Sequence, residues 1–225
     1  MNEMKTMERM PDIANDIIRI HKVITRGLTI AGETTRSMIQ HNPSDTQSLN
    51  GFLDYLRSLT SVLHAHHSTE TEIAFPLFQK KSLDAPYDLL IKGHVKMEAI
   101  LNEINSTIAT LADHNRDMVA MKKIQNLVQA LVDIWDLHIQ VEECRFAENT
   151  IGTHISIEEQ QLLSMGVGQH MLKNSGPDYL VIPFVLYNLS GNDRAIMQRL
   201  LPPDIISLQA TWKDRWAPMK PFLLE

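Results

Sequence analysis

Apolar side chains recur at steps of three and four residues over most of the first 150 positions, which is the period of a helix with one buried face. Short polar breaks divide this pattern into four stretches. One break is the HNPSDT run at 41–46, where Ser44 or Asp45 can cap the helix that follows. The pattern predicts four long helices, of which the second ends near Lys80 and the fourth runs over about 116–147.

The pattern changes after residue 150, where the predicted helices become shorter. Ser156 and Glu159 have the spacing of a capping box and predict a helix to about Lys173. Further helices are expected over 178–189, after Asn192 and from Pro202-Pro203. The last segment carries large apolar groups that should pack on the bundle or on a second subunit. These groups are Trp212, Trp216, Met219 and Phe222.

The predicted fold class is all-α. Four helices joined by short breaks describe an up-down-up-down four-helix bundle over residues 12–150, which begins with Asp12 as the cap of its first helix. Residues 1–11 form a polar, Met-rich arm in this interpretation. Residues 151–225 form a C-terminal helical extension that packs on the bundle or on a partner subunit. Packing on a partner subunit would make the protein a homo-dimer.

Composition narrows the range of partners. The chain has 225 residues, a net charge of −6 and no cluster of Lys or Arg, so neither nucleic acid nor an anionic membrane is an expected partner. The single cysteine, Cys144, excludes an intramolecular disulfide. No signal-peptide pattern and no long apolar run is present, so we expect a soluble, cytoplasmic protein.

Two histidine–glutamate pairs interrupt the apolar faces of the predicted helices. His66 and Glu70 lie four residues apart on the buried face of the second helix, and His138 and Glu142 have the same spacing on the buried face of the fourth. Burying a carboxylate without a partner costs several kcal/mol, and a metal ion is among the few partners that hold both groups. Because the second and fourth helices run in the same direction, Glu70 and Glu142 can enter the core at one level and bridge two ions.

Other histidines are weaker candidates by themselves. His94 lies in the apolar seam of the third helix, whereas Glu98, four residues later, only flanks that seam. A lone histidine on an apolar stripe, such as His21, is more often a hydrogen-bonded core residue than a ligand. The pair His154 and Glu158 is discounted, because Glu158 falls in the first turn of a helix and His154 precedes it. His64 and His67 are expected beside the ligands or at the surface.

Taken together, these residues resemble the hemerythrin-like HHE cation-binding domain family over about residues 12–150. The resemblance comprises a histidine on the first helix, HHxxE followed by Phe75-Pro76, a lone histidine in GHVKME, and HxxxEE at 138–143. It implies a non-haem di-iron centre with histidines as terminal ligands and two glutamates as bridges. The implied metal ligands are His21, His66, His94 and His138 with Glu70 and Glu142, and Glu98 is a seventh candidate.

The resemblance also implies a function. We expect a di-iron protein that binds or reacts with a small molecule, such as dioxygen, nitric oxide or peroxide, in sensing, stress defence or iron handling. Manganese or zinc could occupy the same ligands. The oxygen-carrying hemerythrins have a second histidine where this chain has Glu98, and fewer imidazoles favour the ferric state over reversible oxygen carriage. Whether there is turnover stays open, and the alternative is an iron-responsive module whose C-terminal helices engage a partner.

Overall fold

The computed structural model describes residues 13–41, 46–113 and 117–224, and within these ranges it contains helices and no strand. The long helices are α1 (Ile13–His41), α2 (Thr46–Thr69), α4 (Tyr87–Asp113) and α5 (Met118–Arg145). A π-helical segment (Glu70–Ala74) and α3 (Phe75–Lys80) continue α2 without a break. The later elements are α6 (Glu148–His154), α7 (Ile157–Asn174), α8 (Asp178–Tyr187), α9 (Gly191–Leu200), α10 (Pro203–Trp216) and a 3₁₀ segment (Ala217–Phe222).

The four long helices form the predicted bundle. Each packs on the helices that precede and follow it among the four, and α1 and α5 close the ring. Such a ring of chain neighbours is the up-down-up-down arrangement. A continuous apolar core fills its centre, with Ile24, Leu59, Met97 and Leu131 as members from each of the four helices.

The predicted buried faces of α4 and α5 agree with the structure, whereas the predicted face of the second helix does not beyond Glu70. The face of α4 that carries His94 and the face of α5 that carries His138 and Glu142 are buried, as predicted. After Glu70, a regular helical period continues the buried face of His66 and Glu70 to Ile73 and Leu77. These two residues are partly exposed, whereas Ala74 and Phe78 are buried. The π segment explains this correction, because its wider turn holds one additional residue and moves the buried face by one position.

Local sequence determines several helix ends. The side chain of Asp117 accepts hydrogen bonds from the backbone N–H groups of Val119 and Ala120 and so starts α5. The capping box of Ser156 and Glu159 is present at the start of α7. The short helix α6 was not predicted. Three sets of predictions lie outside the described residues. They are the arm at 1–11, the caps at Asp12, Ser44 and Asp45, and the start of the fourth helix at about residue 116.

The C-terminal elements pack on the bundle around α2. The 3₁₀ segment and α8 contact α2, and Met219 and Phe222 join the apolar core of the bundle. The hydroxyl of Tyr55, in the middle of α2, donates a hydrogen bond of 2.9 Å to the side-chain oxygen of Asn188. Trp212 belongs to a smaller apolar cluster within the extension. None of the described helices combines the length and the apolar character needed to cross a membrane.

Candidate metal centre

Six of the seven candidate ligands lie together in one buried region of the bundle. They come from α1, from the end of α2 and the start of the π segment, from α4 and from α5, so all four helices of the bundle contribute. Each has at most 6% of its surface exposed. The six residues are His21, His66, Glu70, His94, His138 and Glu142.

The ligand atoms of these residues form two groups of four, and within each group they lie within 4.8 Å of one another. The groups are His21, His66, Glu70 and Glu142, and Glu70, His94, His138 and Glu142. Each histidine therefore belongs to one group, whereas both carboxylates belong to both. A carboxylate has two oxygens and can bind two ions at once, so this sharing would allow two cations to be held by the same pair of carboxylates.

The distances in the second group match those between ligands of one ion. The Nε2 atoms of His94 and His138 lie 3.0 Å apart, and His138 Nε2 lies 3.0 Å from Glu142 Oε1. His94 Nε2 lies 3.3 Å from Glu70 Oε2. Imidazole nitrogens bind zinc at about 2.0–2.1 Å, and two ligands at a right angle around such an ion are about 3 Å apart. A single cation thus fits among these four side chains.

The first group is slightly wider. His21 Nε2 lies 3.4 Å from Glu142 Oε2, and His66 Nε2 lies 3.4 Å from Glu70 Oε2. Each histidine thus approaches a different carboxylate, and both carboxylates continue to the second group. A second cation fits here on the same argument.

Buried polar atoms without partners provide a test of whether this region suits a metal. Among the described residues, no hydrogen-bond partner is found for His21 Nε2, His66 Nε2, Glu70 Oε2 or either carboxylate oxygen of Glu142. Leaving one buried polar group unsatisfied costs about 1–3 kcal/mol, and more if it is charged. Cations would satisfy all of these atoms, because each is an oxygen or nitrogen that can donate an electron pair. The donor set therefore fits two metal ions.

Outer contacts orient two of the imidazoles. His21 Nδ1 lies 2.9 Å from Glu143 Oε1, and His94 Nδ1 lies 2.9 Å from the hydroxyl oxygen of Thr71. When Nδ1 carries the proton and donates it to such an acceptor, the electron pair of Nε2 faces the interior, as a metal ligand requires. Glycine makes room for a third ring: a Cβ at Gly93 would come within 2.8 Å of His138 Nδ1.

The two carboxylates have opposite pKa shifts. Burial and the adjacent charge of Glu142 raise the pKa of Glu70 well above its usual range. Burial alone would also raise the pKa of Glu142, but its close contacts with His138 and His21 outweigh burial and lower it. Without metal, the opposite pKa shifts mean that the pair favours one negative charge over two. Two carboxylates that resist being charged together are a favourable site for positive ions.

The histidines also differ in pKa. Burial lowers the pKa of His66 well below 6.5 and that of His94 to about 2, so both are neutral and ready to bind a cation. Burial would lower the pKa of His21 as well, but its contacts with Glu142 and Glu143 raise it instead. A metal at His21 would therefore displace a proton.

Aromatic side chains enclose the region. Trp135 packs edge-on against His21 and His66, with ring centroids 5.4 and 5.8 Å apart, and stacks near His138. Phe75 stacks on His94 at 5.7 Å. These rings hold the imidazoles in place and exclude water from this part of the bundle, which strengthens electrostatic interactions within it.

Glu98 is the one candidate ligand that the structure does not bring into either group. Its carboxylate oxygens lie 2.8 Å from His64 Nδ1 and 3.0 Å from His67 Nδ1. Burial alone would raise the pKa of Glu98, but these two contacts lower it. Of the two histidines expected beside the ligands or at the surface, His64 is exposed and His67 is buried beside the ligands.

The ring of His67 lies against that of His94. The two centroids are 4.4 Å apart and the planes differ by 19°. An ion lies in the plane of the imidazole that binds it, so two stacked imidazoles in this orientation do not share one ion. His67 therefore packs on His94 without belonging to either ligand group.

Sequence reasoning missed one connection to the extension. His170 of α7 lies 3.0 Å from the hydroxyl of Thr69 and 3.1 Å from a carboxylate oxygen of Glu72. It thereby joins α7 to the part of α2 that carries His66 and Glu70. No periodic pattern marks this residue, because its partners lie about 100 positions earlier in the chain.

Comparison with known proteins agrees with this geometry. The family model described as the Hemerythrin HHE cation binding domain matches residues 12–166. Comparisons with curated proteins and with solved structures gave no match. The matched range covers the bundle, α6 and the first half of α7.

Proposed function

The chain belongs to the hemerythrin HHE cation-binding family, and on that premise we propose that it holds two iron ions and binds or reacts with a small molecule such as dioxygen, nitric oxide or peroxide. The roles we favour are sensing, stress defence and iron handling. The observation that carries the proposal is the membership of Glu70 and Glu142 in both ligand groups.

Each residue has a definite part in this proposal. Glu70 and Glu142 would bridge the ions, His21 and His66 would complete one site, and the remaining two histidines would complete the other. Bound iron would supply redox chemistry and coordination positions for a small molecule. The protein fixes the imidazole orientations through Thr71 and Glu143 and keeps water away with aromatic rings.

The donor set is compatible with iron and favours a reaction or a sensing role over reversible oxygen carriage. Imidazole and carboxylate suit iron, although manganese and zinc accept the same donors. Four imidazoles and two carboxylates have a larger share of hard oxygen ligands than a site with an additional histidine at position 98 would have. Such a site favours the ferric state, so we propose a reaction or a sensing role ahead of reversible oxygen carriage.

Metal analysis of purified protein tests the proposal. Protein made under iron-replete conditions should contain about two irons per chain, as two ligand groups imply. Glu70→Ala should lose iron from both groups, whereas Glu98→Ala should keep its full content, because Glu98 belongs to neither group. Full retention of both ions in Glu70→Ala would refute the bridge.

Optical spectra of the same samples address the small molecule. The reduced protein should change its absorption on exposure to dioxygen or nitric oxide, and Glu98→Ala should do the same. A dioxygen band that disappears on deoxygenation would restore the carrier role and contradict our preference. An iron-loaded protein that responds to neither gas, nor to hydrogen peroxide, would contradict the proposed function while leaving the metal site intact.

A further inference from the structure

A cavity of about 420 Å³ lies between the bundle and the C-terminal extension, next to the metal centre. Ile17 and Ile20 of α1 line one side, and Val185 of α8 and Met197 of α9 line another. The volume falls within the range of small-molecule sites and is far larger than a diatomic gas requires. The cavity therefore has room for a ligand other than the one proposed above.

The cavity reaches the metal centre itself. Its lining includes His66, Thr69 and Glu70, each with 4% of its surface exposed. His66 Nε2 and Glu70 Oε2 have no hydrogen-bond partner among the described residues, whereas the hydroxyl of Thr69 is bonded to the Ala65 carbonyl. A molecule in the cavity would thus have one end close to the candidate ions.

The lining defines the chemistry of the occupant. Most of the lining side chains are aliphatic or methionine, and none is Lys or Arg. Asp16, the lining acid outside the metal centre, is paired with Arg19 at 2.7 Å, and Arg19 also contacts Asp193 at 3.1 Å, so this ion pair leaves no cation free for an anionic ligand. Three lining methionines, Met165, Met171 and Met197, can adapt to an apolar shape. In the metal-free protein a fatty acid would bury its carboxylate without a cation from the lining, so an uncharged molecule is favoured there.

We propose that this cavity binds an uncharged, apolar small molecule with one polar end directed at the wall formed by His66, Thr69 and Glu70. Occupancy of the cavity stands apart from metal binding, whereas the orientation rests on the proposed function. The C-terminal extension then has a specific role, because α7, α8 and α9 supply one side of the binding site.

Displacement of a fluorescent probe tests occupancy in metal-free and iron-loaded protein alike. The uncharged fluorophore N-phenyl-1-naphthylamine should bind and brighten, and 1-decanol should displace it. In the metal-free protein decanoate should displace it at least about tenfold less well. Equal displacement by decanoate would overturn the assignment of an uncharged ligand. Absence of probe binding and of decanol binding would overturn the cavity as a site.

Two tryptophan variants locate the probe. Val185→Trp places a large side chain in the lining and should weaken probe binding by about tenfold or more. Val119→Trp is the matched control, since Val119 lies on α5 with 79% of its surface exposed and is not part of the lining. Equal probe affinity in the two variants would overturn the location. If Val185→Trp misfolds, the Mn²⁺ broadening of 1-decanol signals with wild-type protein tests the location instead.

Orientation is measured by proton NMR of 1-decanol with protein loaded with Mn²⁺ or, as the diamagnetic control, Zn²⁺. The protons next to the hydroxyl should broaden most with Mn²⁺, and broadening should fall along the chain. Uniform broadening, or none, in protein that holds its metal would overturn the orientation. Protein that fails to hold metal would contradict the proposed function, and probe displacement in the metal-free protein would still decide the cavity.

Discussion

At the scale of single residues, the centre is governed by protons that a metal must displace. Glu70 has a pKa raised by burial and by Glu142, and His21 has a pKa raised, against the effect of burial, by its contacts with Glu142 and Glu143. Both groups thus hold protons at pH values where they would otherwise have released them. His66 and His94 have lowered pKa values and carry none. Competition between protons and cations therefore concentrates at Glu70 and His21.

This competition gives a pH dependence with a definite sign. Ferrous ion should bind more tightly as the pH rises above 4.5, the ordinary pKa of Glu70, until the raised pKa values are passed, and about one to two protons per chain should be released. Anaerobic calorimetry in buffers of different ionisation heat measures the release. Glu143→Gln should release fewer protons, because His21 loses a contact that raises its pKa. Affinity that is independent of pH would contradict the argument.

The residues of the centre were predicted from the sequence as far as the face of a helix determines them. His66, Glu70, His138 and Glu142 lie on apolar seams, and burial on a seam brings them into the core. The place of Glu98 could not be read this way, because a residue flanking a seam can turn towards either neighbouring helix. Its carboxylate turns to His64 and His67 of α2.

At the scale of elements, the π segment brings Thr71 into contact with His94 of the metal centre. Phe75 N–H bonds to the Glu70 carbonyl, five residues back, and Pro76 has no N–H that an α-helical bond would use. Within this segment Thr71 faces α4 and contacts His94 Nδ1. The helix could be predicted through to Lys80, but the shift of its face could not, because a regular period of 3.6 residues assumes no widened turn.

Replacing Thr71 tests what this contact contributes. Thr71→Val keeps the shape and removes the hydroxyl, so His94 loses the partner of its outer nitrogen, and affinity for metal at that histidine should fall about tenfold. Competition against a metal chelator measures it. Thr110→Val is the matched control on α4, because the Thr110 hydroxyl is exposed and bonds only to the Ser106 carbonyl. If both variants bind metal equally well, the hydroxyl has no orienting role.

At the scale of the whole molecule, the extension is attached to the bundle at particular points along α2. His170 contacts the metal end, Asn188 bonds Tyr55 in the middle, and the 3₁₀ segment lies over Gly51 near the start. The aromatic and methionine content of the last segment predicted that it packs on something. The surface it packs on could not be predicted, because apolar side chains specify burial without specifying a partner.

The approach at Gly51 makes this attachment testable by one methyl group. A Cβ at Gly51 would lie 2.0 Å from the Pro218 carbonyl oxygen, so Gly51→Ala must displace the 3₁₀ segment and should lower the free energy of unfolding by about 1–3 kcal/mol. Gly32→Ala is the matched control in α1, where the Cβ meets only Val128 at 3.9 Å, and removing a helical glycine should stabilise by about 1 kcal/mol. Denaturant unfolding measures both. Since neither glycine touches a ligand, both variants should keep their iron. Equal stabilisation by the two substitutions would mean that the extension does not dock at Gly51.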